Sequence, residues 1–125
     1  MNDQAVVLVA DDDEDILNLV AFRIEHAGHK TIRATNGGEA LRLAFECEPD
    51  LCILDVIMPD RTGFEILEEI RASETLGDVP VILLTATVQD REEARGLELG
   101  AHAYMTKPFD PAELDETVRT LLAGR

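Results

Sequence analysis

Five short apolar runs recur along the chain, and each is followed by a polar turn and then an amphipathic stretch. The runs are Ala5 to Ala10, Lys30 to Ala34, Leu51 to Leu54, Val79 to Leu84 and Ala103 to Thr106. The first, third and fourth are continuous rather than alternating. That pattern suits central parallel strands covered on both faces. Lys30-Thr31-Ile32-Arg33 alternates, as an edge strand does.

The stretches between them carry helical spacing. Ile16, Leu17, Val20, Ala21 and Ile24 fall on one face, with Gly28 where a helix stop belongs. Asn36 precedes Gly37-Gly38-Glu39-Ala40-Leu41 as an N-cap. Phe64, Leu67 and Ile70 mark a third helix. Ala94 and Leu97, stopped by Gly100, mark a fourth. Asp110-Pro111 opens a fifth, with Leu114, Val118, Leu121 and Leu122 on its apolar face. Strands alternating with helices imply right-handed crossovers. The expected fold is α/β: a five-stranded parallel sheet, doubly wound and flavodoxin-like (βα)5, with strand order 2-1-3-4-5. With 125 residues and no Pro/Gly/Ser linker, residues 1–125 are expected to form one domain.

Charge narrows the function. Lys plus Arg is 11 against 26 Asp plus Glu, a net charge of −15. With no basic run, direct nucleic-acid binding is not expected, nor is binding to an anionic membrane surface. One Tyr, four Phe and no Trp leave little for base stacking. The N-terminus lacks signal-peptide features, and no apolar run is long enough to span a membrane. Cys47 and Cys52 form no disulfide framework and read as reduced core or near-core residues, so a cytoplasmic protein is expected. His26, His29 and His102 show no ligand spacing and read as surface residues.

Doubly wound sheets place function at the carboxyl ends of their strands. Asp11, Asp12, Asp13, Glu14 and Asp15 follow the first strand, Asp55 the third, Thr85 the fourth, and Lys107 the fifth. Asp13, Glu14 and Asp15 suit a helix N-terminus. Asp11, Asp12 and Asp55 bring about −3 into one crevice, where two unit charges ~4 Å apart repel by ~4 kcal/mol. Lys107 returns only +1, so a divalent cation is required, and the all-oxygen donor set selects Mg²⁺, with Mn²⁺ possible. A carboxylate beside such a cation, with an ammonium and a hydroxyl opposite, suits phosphoryl transfer. An EF-hand reading of Asp11, Asp13 and Asp15 fails, because Ile16 stands where Gly is required and Phe22 where the bidentate Glu belongs.

The chain resembles the receiver (CheY-like) domains of two-component response regulators. The resemblance rests on an ordered set of pieces. These are Val9-Ala10-Asp11-Asp12-Asp13, Leu54-Asp55-Val56-Ile57-Met58-Pro59, Gly63, Leu84-Thr85-Ala86, Gly100-Ala101 and Tyr104-Met105-Thr106-Lys107-Pro108-Phe109. It implies Asp55 as phosphoacceptor, Asp12 as direct Mg²⁺ ligand with Asp11 assisting, and a metal-binding backbone carbonyl at Ile57. It implies Lys107 as the phosphoryl contact, through a cis Lys107-Pro108 peptide, and Thr85 with Tyr104 as the switch pair. Asp55, Lys107 and Thr85 are thus the catalytic set. The implied donor is a histidine kinase or histidine phosphotransfer protein. The implied output is a state change on the face of the fourth helix, fifth strand and fifth helix. Such a domain catalyses its own phosphorylation and slow autodephosphorylation and is not otherwise an enzyme. Ile57 and Thr87 are expected to tune the lifetime.

Three other classes compete. An Mg²⁺-dependent aspartyl-phosphate hydrolase would use Asp11 as nucleophile, but needs a late acidic pair that does not follow Lys107. A flavin or dinucleotide carrier needs a phosphate loop where five acidic residues stand. A pseudo-receiver should lack part of the acidic set.

Departures from the family pattern are few. Thr62 precedes Gly63 where Asp or Asn is common. Winged-helix regulators often carry paired acids at the positions of His102 and Ala103, and Arg at that of Thr117. Together with Glu93 and Glu113, this speaks against that class's symmetric dimer. Only Ala123-Gly124-Arg125 follows the last helix. The chain therefore reads either as a stand-alone regulator acting on a downstream protein target or as the receiver of a longer protein whose effector domain is missing here.

Overall fold

A computed structural model describes residues 4–86 and 95–124. Its elements are β1 (Val6–Ala10), α1 (Glu14–His26), β2 (Lys30–Ala34), α2 (Gly37–Cys47), β3 (Leu51–Asp55), α3 (Gly63–Ala72) and β4 (Val81–Thr85). They continue with a helical segment α4, seen over residues 95–98, then β5 (Ala103–Thr106) and α5 (Pro111–Ala123). Thr87, Glu93 and Ala94 lie outside the described residues.

All five strands pair in parallel, in the order β2-β1-β3-β4-β5. The continuous apolar runs have the cause expected for them, since strand side chains alternate between two cores. Leu8, Cys52, Leu54 and Leu83 face one, shared with Ala40 and Ala44 of α2 and Ile66, Leu67 and Ile70 of α3. Val7, Val9, Ile53, Ile82 and Leu84 face the other, with Leu17, Val20 and Ile24 of α1 and Leu114, Val118 and Leu122 of α5. Each such leucine or isoleucine contributes roughly 1.5–3 kcal/mol by burial.

Local signals set the helix starts. Asp13 caps α1 by accepting from the N–H groups of Asp15 and Ile16. Asn36 caps α2 through the Glu39 N–H. Thr62 and Glu65 form a reciprocal capping box on α3. Asp110 and Pro111 open α5. Gly28, at φ 98°, follows the end of α1 in a conformation that glycine adopts without strain.

Two expectations need correction. Cys52 is buried, but Cys47 is exposed: it shares the helical face of Ala40 and Ala44 but is the last residue of α2. His29 is half-buried rather than a surface residue, while His102 is exposed as expected. His29 Nδ1 accepts the Ala5 N–H at 3.0 Å, and His102 Nδ1 lies 3.4 Å from the Val81 N–H. Among the described residues no helix is long and apolar enough to cross a membrane.

Candidate phosphoacceptor site

The parallel sheet brings the carboxyl ends of β1, β3, β4 and β5 to one edge. Asp11 follows β1, Asp55 ends β3, Thr85 ends β4, and Lys107 follows β5. Backbone bonds hold these ends in register. The Asp11 N–H donates to the Ala34 carbonyl, Val56 N–H to Leu84, and Lys107 N–H to Thr85 at 2.7 Å.

Carboxylate oxygens of Asp11, Asp12 and Asp55 lie within 4.8 Å of one another. Asp11 is 1% exposed and Asp55 5%, whereas Asp12 opens to solvent. Lys107 Nζ sits 2.6 Å from Asp11 Oδ2 and 3.4 Å from Asp55 Oδ2. The other Asp11 oxygen accepts the Asp13 N–H at 2.9 Å. Both Asp11 oxygens are thus engaged inside the protein.

The electrostatics follow from that crowding. Burial first, then the Asp11 charge, pushes the Asp55 carboxyl up to about 7, against the opposing pull of Lys107. Burial works against the Lys107 charge, but its bond to Asp11 and the nearby Asp55 carboxylate raise its pKa above the ordinary lysine value. A single ammonium therefore leaves the acidic cluster under-compensated. The all-oxygen donor set and its spacing fit a small divalent cation.

Thr85 is buried at the strand end beside Asp55, whose register partner on β4 is Leu84. Tyr104 lies on β5 opposite Leu83, one strand repeat further from the edge. Its partly buried ring lies close to Gly96 of α4 and packs on the core shared by α2 and α3. The Ile57 side chain is 66% exposed in the β3–α3 loop. The Lys107-Pro108 peptide is cis, as the resemblance implied.

Two contributors had no structural role in the sequence reading. Gly63 sits so close that a Cβ there would lie 2.6 Å from the Asp55 carbonyl oxygen. Arg71, near the end of α3, donates to the carbonyls of Gly77, Val79 and Gly100. Gly63 was visible only as a motif position, and nothing about Arg71 distinguishes it from a solvated helix arginine.

A doubly wound sheet with an acidic trio and a lysine at its carboxyl edge defines a class, and comparison with known proteins identifies it. The family described as response regulator receiver domain matches residues 7–119, and the chain belongs to that family. It is 40% identical over 116 residues to the alkaline phosphatase synthesis transcriptional regulatory protein PhoP of Bacillus subtilis, covering 93% of this chain and 48% of that protein. It is 34% identical to the phosphate regulon transcriptional regulatory protein PhoB of Pseudomonas aeruginosa, covering 93% and 51%. The chain thus spans about half the length of these curated relatives. Among solved structures, a Francisella response regulator receiver domain superposes with a TM-score of 0.90 at 34% identity, covering 97% of this chain and 98% of that one. The chemotaxis response regulator CheY4 of Vibrio cholerae does so at 0.88 and 32%, covering 94% and 98%.

Proposed function

We propose that this receiver accepts a phosphoryl group on Asp55 from a phosphohistidine of a histidine kinase or histidine phosphotransfer protein. The reading rests on the packing of Asp11, Asp12 and Asp55 around one point, with the Lys107 ammonium bridging Asp11 and Asp55.

An Asp55 oxygen attacks phosphorus. The O–P bond forms as the N–P bond breaks, and the departing imidazole takes up a proton from solvent. Asp12 and Asp55, with Asp11 and the Ile57 backbone carbonyl, would hold Mg²⁺, or Mn²⁺ in its place. Once bound, the cation neutralises the carboxylates and draws charge from the phosphoryl oxygens. Lys107 supplies the second positive charge on the transferred group. The Thr85 hydroxyl supplies a hydrogen-bond donor once Asp55 carries about −2. Thr85 and Tyr104 then bias two arrangements of the α4-β5-α5 face. Water attacking phosphorus releases inorganic phosphate and restores Asp55.

The competing hydrolase reading needs Asp11 as nucleophile. Asp11 suits that role poorly, because Lys107 holds one oxygen and the Asp13 N–H the other. The output is a downstream protein or an effector domain. Similarity to transcriptional regulators twice this length favours the effector domain. A cytoplasmic location follows from the same role. The symmetric α4-β5-α5 dimer is not part of this proposal. On α5, Thr117 stands where that class carries Arg, and its hydroxyl donates to the Glu113 carbonyl of its own helix.

The test is intact mass after incubation with acetyl phosphate and Mg²⁺, for the native chain and for Asp55→Asn. One added phosphoryl group, dependent on Mg²⁺ and absent in the variant, is the expected result. Labelling that persists in Asp55→Asn would move the nucleophile to Asp11 or Asp12.

A further inference from the structure

The helix α2 opens on two glycines, Gly37 and Gly38, where poor helix formers need a reason. For Gly37 the reason is space. A Cβ there would overlap the carbonyl oxygen of Arg61 and lie 2.5 Å from its Cβ and 2.6 Å from its carbonyl carbon. Backbone cannot swing aside as a side chain can. The Gly37 N–H also donates to the Pro59 carbonyl at 3.0 Å. That carbonyl accepts the Arg61 N–H as well, at 2.9 Å, around Asp60 at φ 78°. The apex of the β3–α3 loop is therefore a tight turn seated on the first turn of α2.

The other end of the loop is held equally closely. The Gly63 N–H donates to the Val56 carbonyl at 2.9 Å, and Gly63 presses on the Asp55 carbonyl oxygen. Only Ile57 and Met58 lie between the fixed Asp55-Val56 step and the latched Pro59. Ile57 is the residue whose carbonyl the proposed function gives to the metal.

We infer that Gly37 is a positioning residue for the phosphoacceptor loop: its missing side chain lets α2 latch Pro59 to Arg61, which sets the Ile57 carbonyl for Mg²⁺. The inference rests on the functional reading above. Gly38 provides the matched control. A Cβ there meets chiefly the Asp60 carboxylate, the movable end of a side chain.

The experiment compares Gly37→Ala and Gly38→Ala by calorimetric titration with MgCl₂ and by the rate of phosphorylation from acetyl phosphate. Both substitutions raise helix propensity alike, and strain in Gly37→Ala that only lowered stability would leave the Mg²⁺ affinity of the folded chain unchanged. Gly37→Ala should weaken Mg²⁺ binding about tenfold and slow phosphorylation, as supporting residues around metal ligands do. Gly38→Ala should leave Mg²⁺ affinity within about twofold of the native chain. Equal affinities in the two variants would overturn the inference. If Gly37→Ala does not fold, amide exchange on the unmodified chain decides. Coupling is reciprocal, so Mg²⁺ should increase protection of the Gly37 N–H and leave that of Gly28 unchanged. Unchanged Gly37 protection would overturn the inference. A native chain that neither binds Mg²⁺ nor gains a phosphoryl group would instead defeat the functional reading itself.

Discussion

Lys107 is held more tightly by Asp11 than by Asp55, with its Nζ 2.6 Å from one carboxylate and 3.4 Å from the other. The ammonium therefore occupies charge space that a cation would share. Lys107→Ala should tighten Mg²⁺ binding several-fold, because a positive charge leaves the same carboxylates. Phosphorylation from acetyl phosphate should slow by about tenfold or more, because charge on the transferred group loses a partner. Calorimetry and intact mass read the two effects separately. Weaker Mg²⁺ binding in Lys107→Ala would contradict the competition.

Asp55 gives the metal-free chain a defined pH dependence. Its folded pKa is raised from the ordinary 3.8 to about 7, mainly by burial and then by Asp11. Between these values the folded chain binds more protons than the unfolded chain. Stability from this group therefore falls as pH rises from about 4 to about 7 and is level above that. The upper bound is roughly 4 kcal/mol. In EDTA, Asp55→Asn should be more stable than the native chain at pH 8, and the gap should close towards pH 4. Urea unfolding across this range measures it. A gap independent of pH would count against the raised pKa.

Arg71 ties three segments together. Its guanidinium reaches the Gly100 carbonyl from two nitrogens, and the Gly77 and Val79 carbonyls from a third. Gly100, at φ 100°, would place any Cβ 2.7 Å from Arg71 Nε. Arg71→Ala should cost about 2–3 kcal/mol, because the partly buried carbonyls lose charged donors. Arg71→Lys should recover only part, since one ammonium cannot reproduce the fork. His102 adds a pH signature. Burial and then the Arg71 charge lower its pKa, and its Nδ1 lies 3.2 Å from the guanidinium. The unfolded chain then takes up the proton first, so this group's contribution is present above about pH 6.5 and is lost as pH falls below it. A His102→Gln variant should lose that acid-side component in urea unfolding.

The contrast between Asp55 and Arg71 shows what a linear pattern carries. The strands covered on both faces were legible because alternation between two cores produces continuous apolar runs. Lys30 to Ala34 read as an edge strand, and β2 is an edge. Asp13, Asn36 and Asp110 cap helices through their own neighbours, which spacing reveals. The convergence of Asp11, Asp55, Thr85 and Lys107 follows from parallel topology alone, since each stands at a strand's carboxyl end. Arg71 differs because its acceptors lie 6, 8 and 29 residues away, and only the folded loops bring them together. Gly37 differs because close approach to Arg61 is a property of two segments and not of either one. Cys47 misled because it keeps the helical spacing of Ala40 and Ala44 but stands at the very end of α2, where it is exposed.

Ile57 separates chemistry from stability. Its side chain is 66% exposed, so Ile57→Ala removes little buried surface and should change unfolding free energy by less than about 0.5 kcal/mol. Ile57 stands two residues beyond Asp55 in the β3–α3 loop, and the expectation that it tunes the acyl-phosphate lifetime puts its side chain in the path of the attacking water. Its backbone carbonyl is unaltered by the substitution, so Mg²⁺ affinity should hold. Loss of the branched side chain should therefore shorten the lifetime of phosphorylated Asp55 several-fold while leaving the phosphorylation rate close to native. Decay of the phosphorylated mass after removal of acetyl phosphate measures the lifetime, and calorimetry checks the metal. An unchanged decay rate in Ile57→Ala would remove the side chain from the path of the attacking water.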